Sequence, residues 1–351
     1  DSLRDEYTVI ISTTTRTGQH LARSVYPDLC VFYFPYDFRW VIRSVLQMIR
    51  PDLVVITETE IWPNFIDVTG REAKTPVVLI NGRISEKSFK GYQYIRALLK
   101  PVLSSMTYVY MQSPEDAQRI MALGAPQSSV VSMGNLKFDV NCEIDPLKQG
   151  VLRQLFGFQE QDAVLTLAST HHGEEELLIP VFQKLRKDFP ELKLVIAPRH
   201  PERVSEVRSV LTSKALSFSL RSQLSQEQPN QADIVVLDTI GELLTVFSLS
   251  SVAVMGGSFI PRGGQNPIEP LSQGVPVMFG PHMFNFRQVC RLVLDKHAGV
   301  QVQSANEVGD VLTEWLTQPE VYSHLAENGQ ALLAENRGTA DKLKRAIQGL
   351  L

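Results

Sequence analysis

Cysteine is scarce, no long apolar run occurs, and neither sign of charge dominates. Only three cysteines are present in 351 residues, Cys30, Cys142 and Cys290, odd in number and far apart. That excludes a disulfide framework and a multi-cysteine zinc site, and points to a reducing compartment. No apolar stretch is long enough to span a bilayer, and no secretory signal pattern opens the chain. It begins Asp1-Ser2-Leu3 without a methionine and reads as a fragment. A net charge of -4 argues against a general nucleic-acid binder, while leaving room for a local basic groove. What is there is globular in kind, with 44% hydrophobic and 21% charged residues. The length suits two domains, since single cores rarely grow past about 250–300 residues.

Strand-like apolar runs alternate with amphipathic helical runs from end to end, the pattern of parallel α/β sheets. Strands are expected at Tyr7 to Ser12, Cys30 to Phe34, Leu53 to Thr57, Val77 to Ile80, Tyr108 to Met111 and Val130 to Met133. A second set follows at Val164 to Ala168, Leu192 to Ala197, Asp233 to Leu237, Ser251 to Met255 and Val275 to Phe279. Asp37 is expected to cap a helix reaching Ile49, where Arg50-Pro51 stops it. Phe89 to Ser105 reads as one helix that buries Tyr92, Tyr94, Ile95, Leu98 and Leu99. The polar stretch Val140 to Gly150, with Pro146, marks a domain boundary. It divides an N-terminal domain, 1–140, from a second, 151–330. A last helical segment, 331–351, can cross back to the first. The Ser/Gln-rich Arg221 to Gln231 reads as a mobile loop.

The most informative stretch runs from Met255 to Phe286. A buried strand ends in Gly256-Gly257-Ser258, small residues that let backbone N–H groups approach a phosphate. Gly263-Gly264-Gln265-Asn266 then leads into a short helix with Pro267 and Glu269 in its first turn. A helix start facing a Gly-rich loop suits an anion. The alternative is a βαβ unit whose glycines only turn the chain. The other strand ends of the second half carry Ser169-Thr170-His171-His172, Pro198-Arg199 and Asp238 to Glu242, all suited to a nucleotide. Ser169 or Thr170, and Asp238 or Thr239, would cap the helices there. The His-His-x-Glu run suggests a metal, but adjacent histidines point apart and no second cluster supplies ligands. In the first half, Glu58 follows a buried strand, where open α/β sheets place ligands, or is a solvated acid at a helix start. Glu60 reads as the latter. Arg83 reads as a surface salt bridge. Lys137, just after a strand, faces either a ligand or solvent.

Together these motifs resemble one family, the 3-deoxy-D-manno-octulosonic acid (Kdo) transferases of lipid A and lipopolysaccharide assembly. The resemblance rests on Tyr36-Asp37, Glu58-Thr59-Glu60-Ile61-Trp62-Pro63-Asn64, Gly134 to Asp139 and Ser169 to Glu175. It continues in Ala197 to Arg203, Gly241-Glu242-Leu243, Gly256-Gly257-Ser258, Asn266 to Glu269, Gly280-Pro281-His282 and Asn285-Phe286. It implies a GT-B glycosyltransferase of two Rossmann-like domains around a cleft. It further implies CMP-Kdo as donor, a lipid A precursor (lipid IVA) as acceptor, the cytoplasmic face of the inner membrane as location, and no cofactor. By motif, Pro198, Arg199, Ile240, Gly241, Glu242, Asn266, Pro267, Ile268 and Glu269 would hold the CMP moiety. Glu58 and Lys137 match positions that stabilise charge at the transferred sugar. The family's general base is a glutamate in a Ser-Val-Gly-Glu loop upstream of a strand like Tyr7 to Ser12. That loop and the family's membrane-anchoring segment precede the first residue here, so impaired transfer is expected. Other readings are a UDP-sugar-dependent GT-B enzyme and a non-catalytic nucleotide-binding module.

Overall fold

The computed structural model describes residues 3–139 and 142–351. The chain divides into two compact units. Unit 1 runs to Asp139 and takes in Asn336–Leu351; unit 2 is the chain between.

Among the described residues, unit 1 holds six parallel strands in two sheets. β1 (Ile10–Thr13) pairs with β2 (Cys30–Tyr33). β3 (Val54–Thr57), β4 (Val77–Gly82), β5 (Tyr108–Met111) and β6 (Val130–Ser132) form the other sheet in that order. β1 starts at Ile10 rather than Tyr7, because the preceding residues close a turn in which Glu6 and Tyr7 N–H both donate to Leu3 O. One face of the larger sheet packs Leu79, Val109 and Met111 against Ile42, Ile66, Leu103 and Ile120 of the helices. The other face packs Val78 and Tyr110 against Leu343 of helix Thr339–Gln348. Asp139 fixes the start of that helix by accepting from Gly338 N at 2.5 Å and Ala340 N at 2.7 Å.

Two helical expectations in unit 1 change. Helix Arg39–Ile49 begins without a side-chain cap. Asp37 instead accepts from Asn64 N at 3.1 Å and Phe65 N at 2.8 Å, capping helix Pro63–Asp67 more than twenty residues on. Phe89 to Ser105 is two helices, Glu86–Tyr94 and Arg96–Leu103, broken at Ile95. The break turns Tyr94 (92% exposed) and Leu98 (72%) to solvent, while Leu99 stays in the core.

Unit 2 is one seven-stranded parallel sheet. Its strands are β7 (Val164–Thr170), β8 (Lys193–Pro198), β9 (Ser219–Leu220), β10 (Ile234–Val236), β11 (Val252–Met255), β12 (Val277–Phe279) and β13 (Gly299–Gln301). Their order is β13-β12-β11-β7-β8-β10-β9. Side chains alternate between two cores, as a strand period of two requires. Leu165, Leu167, Leu194, Ile196, Ile234 and Val236 face helices that carry Ile179, Phe182, Leu211 and Leu312. Val164, Val195, Ala197 and Val235 face Leu152, Leu155 and Phe156 of helix Pro146–Phe156. Each such Val, Leu, Ile or Phe side chain, fully buried, stabilises the fold by about 1.5–3 kcal/mol. Strand order runs outward from β7 through β8 and then restarts at β11 on β7's other side. The reversal leaves a switch point between β7 and β11, where doubly wound sheets bind ligands.

The stretch expected as a mobile loop is tied at both ends. Arg221 pairs with Glu242 at 2.7 Å. Buried Asn230 donates to Phe156 O and Ala232 O and accepts from Ala232 N. All three thiols are free.

Candidate functional site

The loops after β7 and β11 meet at the switch point through close backbone contact. Ser169 takes a left-handed conformation (φ 57°) and interrupts the β7–β8 register, so the chain turns over the strand end. A Cβ on Gly256 would collide with the Ser169 carbonyl oxygen, which explains the glycine there. Gly257 has φ 66°, the left-handed region that glycine enters without strain.

Both glycine N–H groups of this loop, and that of Phe259 just after it, are already taken. Gly256 N donates to Ala168 O at 2.7 Å. Gly257 N donates to Glu174 Oε2 at 2.7 Å and Phe259 N to Glu174 Oε1 at 3.1 Å. His171 N also donates to Glu174 Oε2, at 2.9 Å. The Gly256-Gly257-Ser258 turn therefore holds a carboxylate of its own chain where a phosphate was expected. Glu174 has no exposed surface. Burial pushes its pKa up, against the three N–H groups that favour the charged form. Its neighbour Glu175, equally buried, accepts from Thr170 Oγ1 at 2.7 Å and from both arms of the Arg203 guanidinium at 3.1 and 3.0 Å. Neither Ser169 nor Thr170 caps helix Glu174–Leu185; Gly173 stands at its N-cap.

Around this knot lies a cluster of positive charge. The half-buried His171 ring has its pKa lowered by burial, and further by the charges of His200, Arg262, Arg203 and Arg199. The His171 and His200 rings stand edge to face at 6.0 Å. Gln265 Nε2 lies 3.2 Å from His171 Nε2. The carboxylate within reach is Glu269, whose pKa burial raises while Asn266 and the Arg199 charge draw it down. Asn266 Nδ2 donates to Glu269 Oε1 at 3.4 Å, and its Oδ1 accepts from Ile268 N at 3.2 Å. Asn266 thus occupies the first N–H of helix Ile268–Ser272 and aims Glu269.

The unit-2 residues singled out from sequence all sit at the C-terminal ends of its strands. Pro198 is buried at the end of β8, and Arg199 beside it is exposed with its N–H on Thr170 O at 2.9 Å. After β10, Ile240 is 87% exposed, Gly241 has φ 89°, and Glu242 is held by Arg221 and Thr239. Asp238 accepts from Ser222 and caps no helix; helix Leu243–Phe247 has no side-chain cap. After β11, Pro267 and Ile268 are buried, while Asn266 and Glu269 are half-buried. Of the two unit-1 residues, Glu58 is exposed at φ 58° and donates its N–H to Ile80 O at 2.9 Å. Leu136, before Lys137, donates its N–H to Asn81 Oδ1 at 3.1 Å. Glu58 and the residue before Lys137 are thus both tied to the C-terminal end of β4, and Lys137 donates its N–H to Asn135 Oδ1 at 3.0 Å. Glu60 stays exposed and accepts from Trp62 Nε1 at 2.8 Å. Among the described residues, no group of three or more His, Cys, Asp and Glu side chains is placed to hold a metal.

A profile described as 3-deoxy-D-manno-octulosonic-acid transferase matches residues 1–140. A 3-deoxy-D-manno-octulosonic acid transferase of Haemophilus influenzae is 32% identical over 339 residues, covering 95% of this chain and 78% of its own length. The chain belongs to the Kdo transferase family. A Bordetella pertussis relative of the same name is 29% identical, covering 98% of this chain and 81% of the relative. Among solved structures, Anabaena Alr3699/HepE in complex with UDP superposes with a TM-score of 0.63 at 14% identity, over 97% of this chain and 91% of that one. The UDP-GlcNAc 2-epimerase of Neisseria meningitidis does so at 0.63 and 15%, over the same shares. At that identity the likeness concerns the fold, which is of the GT-B type with two Rossmann-like units.

In this Kdo transferase, Glu174, Glu175 and Arg203 were missed as organisers of the site. In the sequence the acids look like ordinary first-turn helix residues, and their partners lie as far as 85 positions away. Arg262 was missed as well, while His171 and Gln265 were read only as parts of loops suited to a nucleotide. The signal that could have found them is that each sits beside a glycine turn or strand end.

Proposed function

We propose that the protein transfers Kdo from CMP-Kdo to a lipid A precursor, with the CMP moiety bound on unit 2. The observation that carries this is the grouping of Arg199, Arg262 and His200 around His171 beside the β7–β11 switch point, with Glu269 near Arg199. A nucleoside monophosphate ester fits that arrangement. Its phosphate takes the cationic side chains, and its ribose hydroxyls donate to the Glu269 carboxylate that Asn266 aims. Pro198 and the exposed turn Ile240-Gly241-Glu242 flank the base. The filled glycine turn supports the same reading, because it directs the phosphate to side chains and away from the backbone nest.

The acceptor hydroxyl forms a bond to the anomeric carbon of Kdo, the bond from that carbon to the phosphate oxygen breaks, and the hydroxyl proton passes to a base. Negative charge grows on the departing CMP, and fixed cations facing it favour departure. Glu58 and Lys137, both in segments tied to the end of β4, serve the charge that develops on the sugar. We place the lipid acceptor at the cytoplasmic face of the inner membrane; a contact with lipid is supported by the exposed apolar side chains of unit 1, Leu21, Tyr36, Phe38, Trp40 and Met48. No helix among the described residues is long and apolar enough to cross a membrane.

Calorimetric titration with CMP tests the reading. The parent binds, and Glu269→Ala loses roughly 1–3 kcal/mol, the range for leaving hydrogen-bond partners unpaired. UDP binding as tightly as CMP would redirect the assignment to a UDP-sugar donor. Absence of any nucleotide binding to folded protein would overturn it.

A further inference from the structure

We propose that Glu174 and Glu175 are positioning residues that lock, from one helix start, the two loops on which the nucleotide rests. The inference rests on the reading of unit 2 as the CMP site and goes past it, because neither residue is placed to touch the ligand.

The two carboxylates are adjacent in sequence and do different work. Glu174 gathers three backbone N–H groups from two loops, His171 after β7 and Gly257 and Phe259 after β11. It thereby sets where the β11 loop starts, and that loop leads through Arg262 and Gln265 to Asn266 and Glu269. Gly264 N closes it by donating to Gly257 O at 2.9 Å. Glu175 acts on the other side. It holds the Arg203 guanidinium, and Arg203 Nη1 donates at 3.0 Å to Thr170 O. The same carbonyl accepts Arg199 N. Arg199 is therefore aimed by a backbone bond to a carbonyl whose second partner Glu175 controls. A ligand-facing cation and a ligand-facing carboxylate, from loops over sixty residues apart, take their places from two consecutive buried acids.

The arrangement is specific to carboxylates. Glu174 offers two oxygens to three donors, and glutamine offers one oxygen while turning an N–H group toward the others. An amide at Glu175 likewise breaks the two-armed fit to guanidinium.

The test uses the full chain with Glu174→Gln, Glu175→Gln and the milder Arg203→Lys, read by amide hydrogen exchange and by CMP titration. Glu174→Gln is expected to speed exchange at Gly257 and Phe259 and leave Arg199 protected. Glu175→Gln and Arg203→Lys do the reverse. Each glutamine variant should weaken CMP binding roughly 10-fold, the scale of a loosened supporting shell. Arg203→Lys, which keeps the charge and loses the fork, should weaken it roughly 3-fold and decides the matter should a glutamine variant unfold. Faster exchange with CMP affinity unchanged would overturn the proposal by making the acids structural only. Affinity lost in step with exchange across the whole of unit 2 would overturn it too. A parent that does not bind CMP removes the nucleotide reading itself, a failure visible before any variant is compared.

Discussion

Glu174 combines full burial with three hydrogen bonds from the backbone, and the two effects pull its proton affinity in opposite directions. Burial wins, so its pKa lies above the ordinary glutamate value in the folded protein. A carboxyl group that binds its proton more tightly when folded makes the fold lose stability as pH rises from the ordinary value through the raised one. Glu269 is raised by burial as well and adds to the same slope. Across the same mildly acidic to neutral range His171, whose pKa is lowered in the fold, contributes the opposite slope, so the test is the difference between two urea-unfolding curves: the parent's midpoint should fall relative to that of Glu174→Gln as pH rises. The glutamine variant should also be less stable than the parent at the acidic end, where a protonated Glu174 carries little burial penalty and keeps better hydrogen bonding than an amide. A variant curve parallel to the parent's would mean that Glu174 does not titrate in this window.

At the scale of elements, the second helix of unit 1 is held by charge as well as by apolar packing. Glu72 closes the turn Val68–Glu72 and accepts from Arg43 Nε at 2.7 Å and from Arg39. These partners, Arg43 first, hold its carboxyl down at about 2. A depressed carboxylate stabilises the fold above its ordinary pKa near 4.5 and loses that contribution as pH falls toward about 2. Acid unfolding of Glu72→Gln should therefore show a weaker pH dependence than the parent between those limits. Because the site is exposed, added salt should shrink the difference; a salt-independent difference would count against the ion-pair explanation. This element also shows what a sequence can and cannot reveal. The alternation of apolar runs placed β3, β4, β7, β8 and β11 within a few residues, since period and burial are local properties. Asp37 looked like the cap of the next helix, yet it caps one beyond β3, because a cap depends on which N–H groups tertiary packing brings near. Tyr94 and Leu98 looked buried because an amphipathic count assumes an unbroken axis, and the break at Ile95 rotates them outward. That Arg199, Asn266 and Glu269 lie in loops after strands was legible because strand ends are readable. Glu174 was not, since its three donors come from folded loops.

At the scale of the whole molecule, each unit has its own core, and the chain's last helix belongs to the unit it left two hundred residues earlier. Leu343 lies in the cluster with Val78 and Tyr110, so unit 1's sheet is covered on that face by a helix that follows unit 2 in the sequence. Lys344 and Gln348 bind Glu6 near the other end of the chain, fastening first and last segments together. Removing the Leu343 side chain should cost about 2–5 kcal/mol, the usual range for a buried leucine truncated to alanine. Asp139→Ala, which strips the helix of its cap, should cost about 1 kcal/mol. Both losses should fall on unit 1. Hydrogen exchange should quicken in β4 and β5 of either variant, and β8 and β10 should keep the parent's protection. CMP affinity should also be unchanged, since every residue proposed to contact the nucleotide lies in unit 2. Equal loss of protection in both sets of strands would show that the units unfold as one cooperative body. In that case the nucleotide would stabilise unit 1 through unit 2 by mass action, and adding CMP would slow exchange in β4 and β5. With independent units, CMP would protect the strands of unit 2 alone.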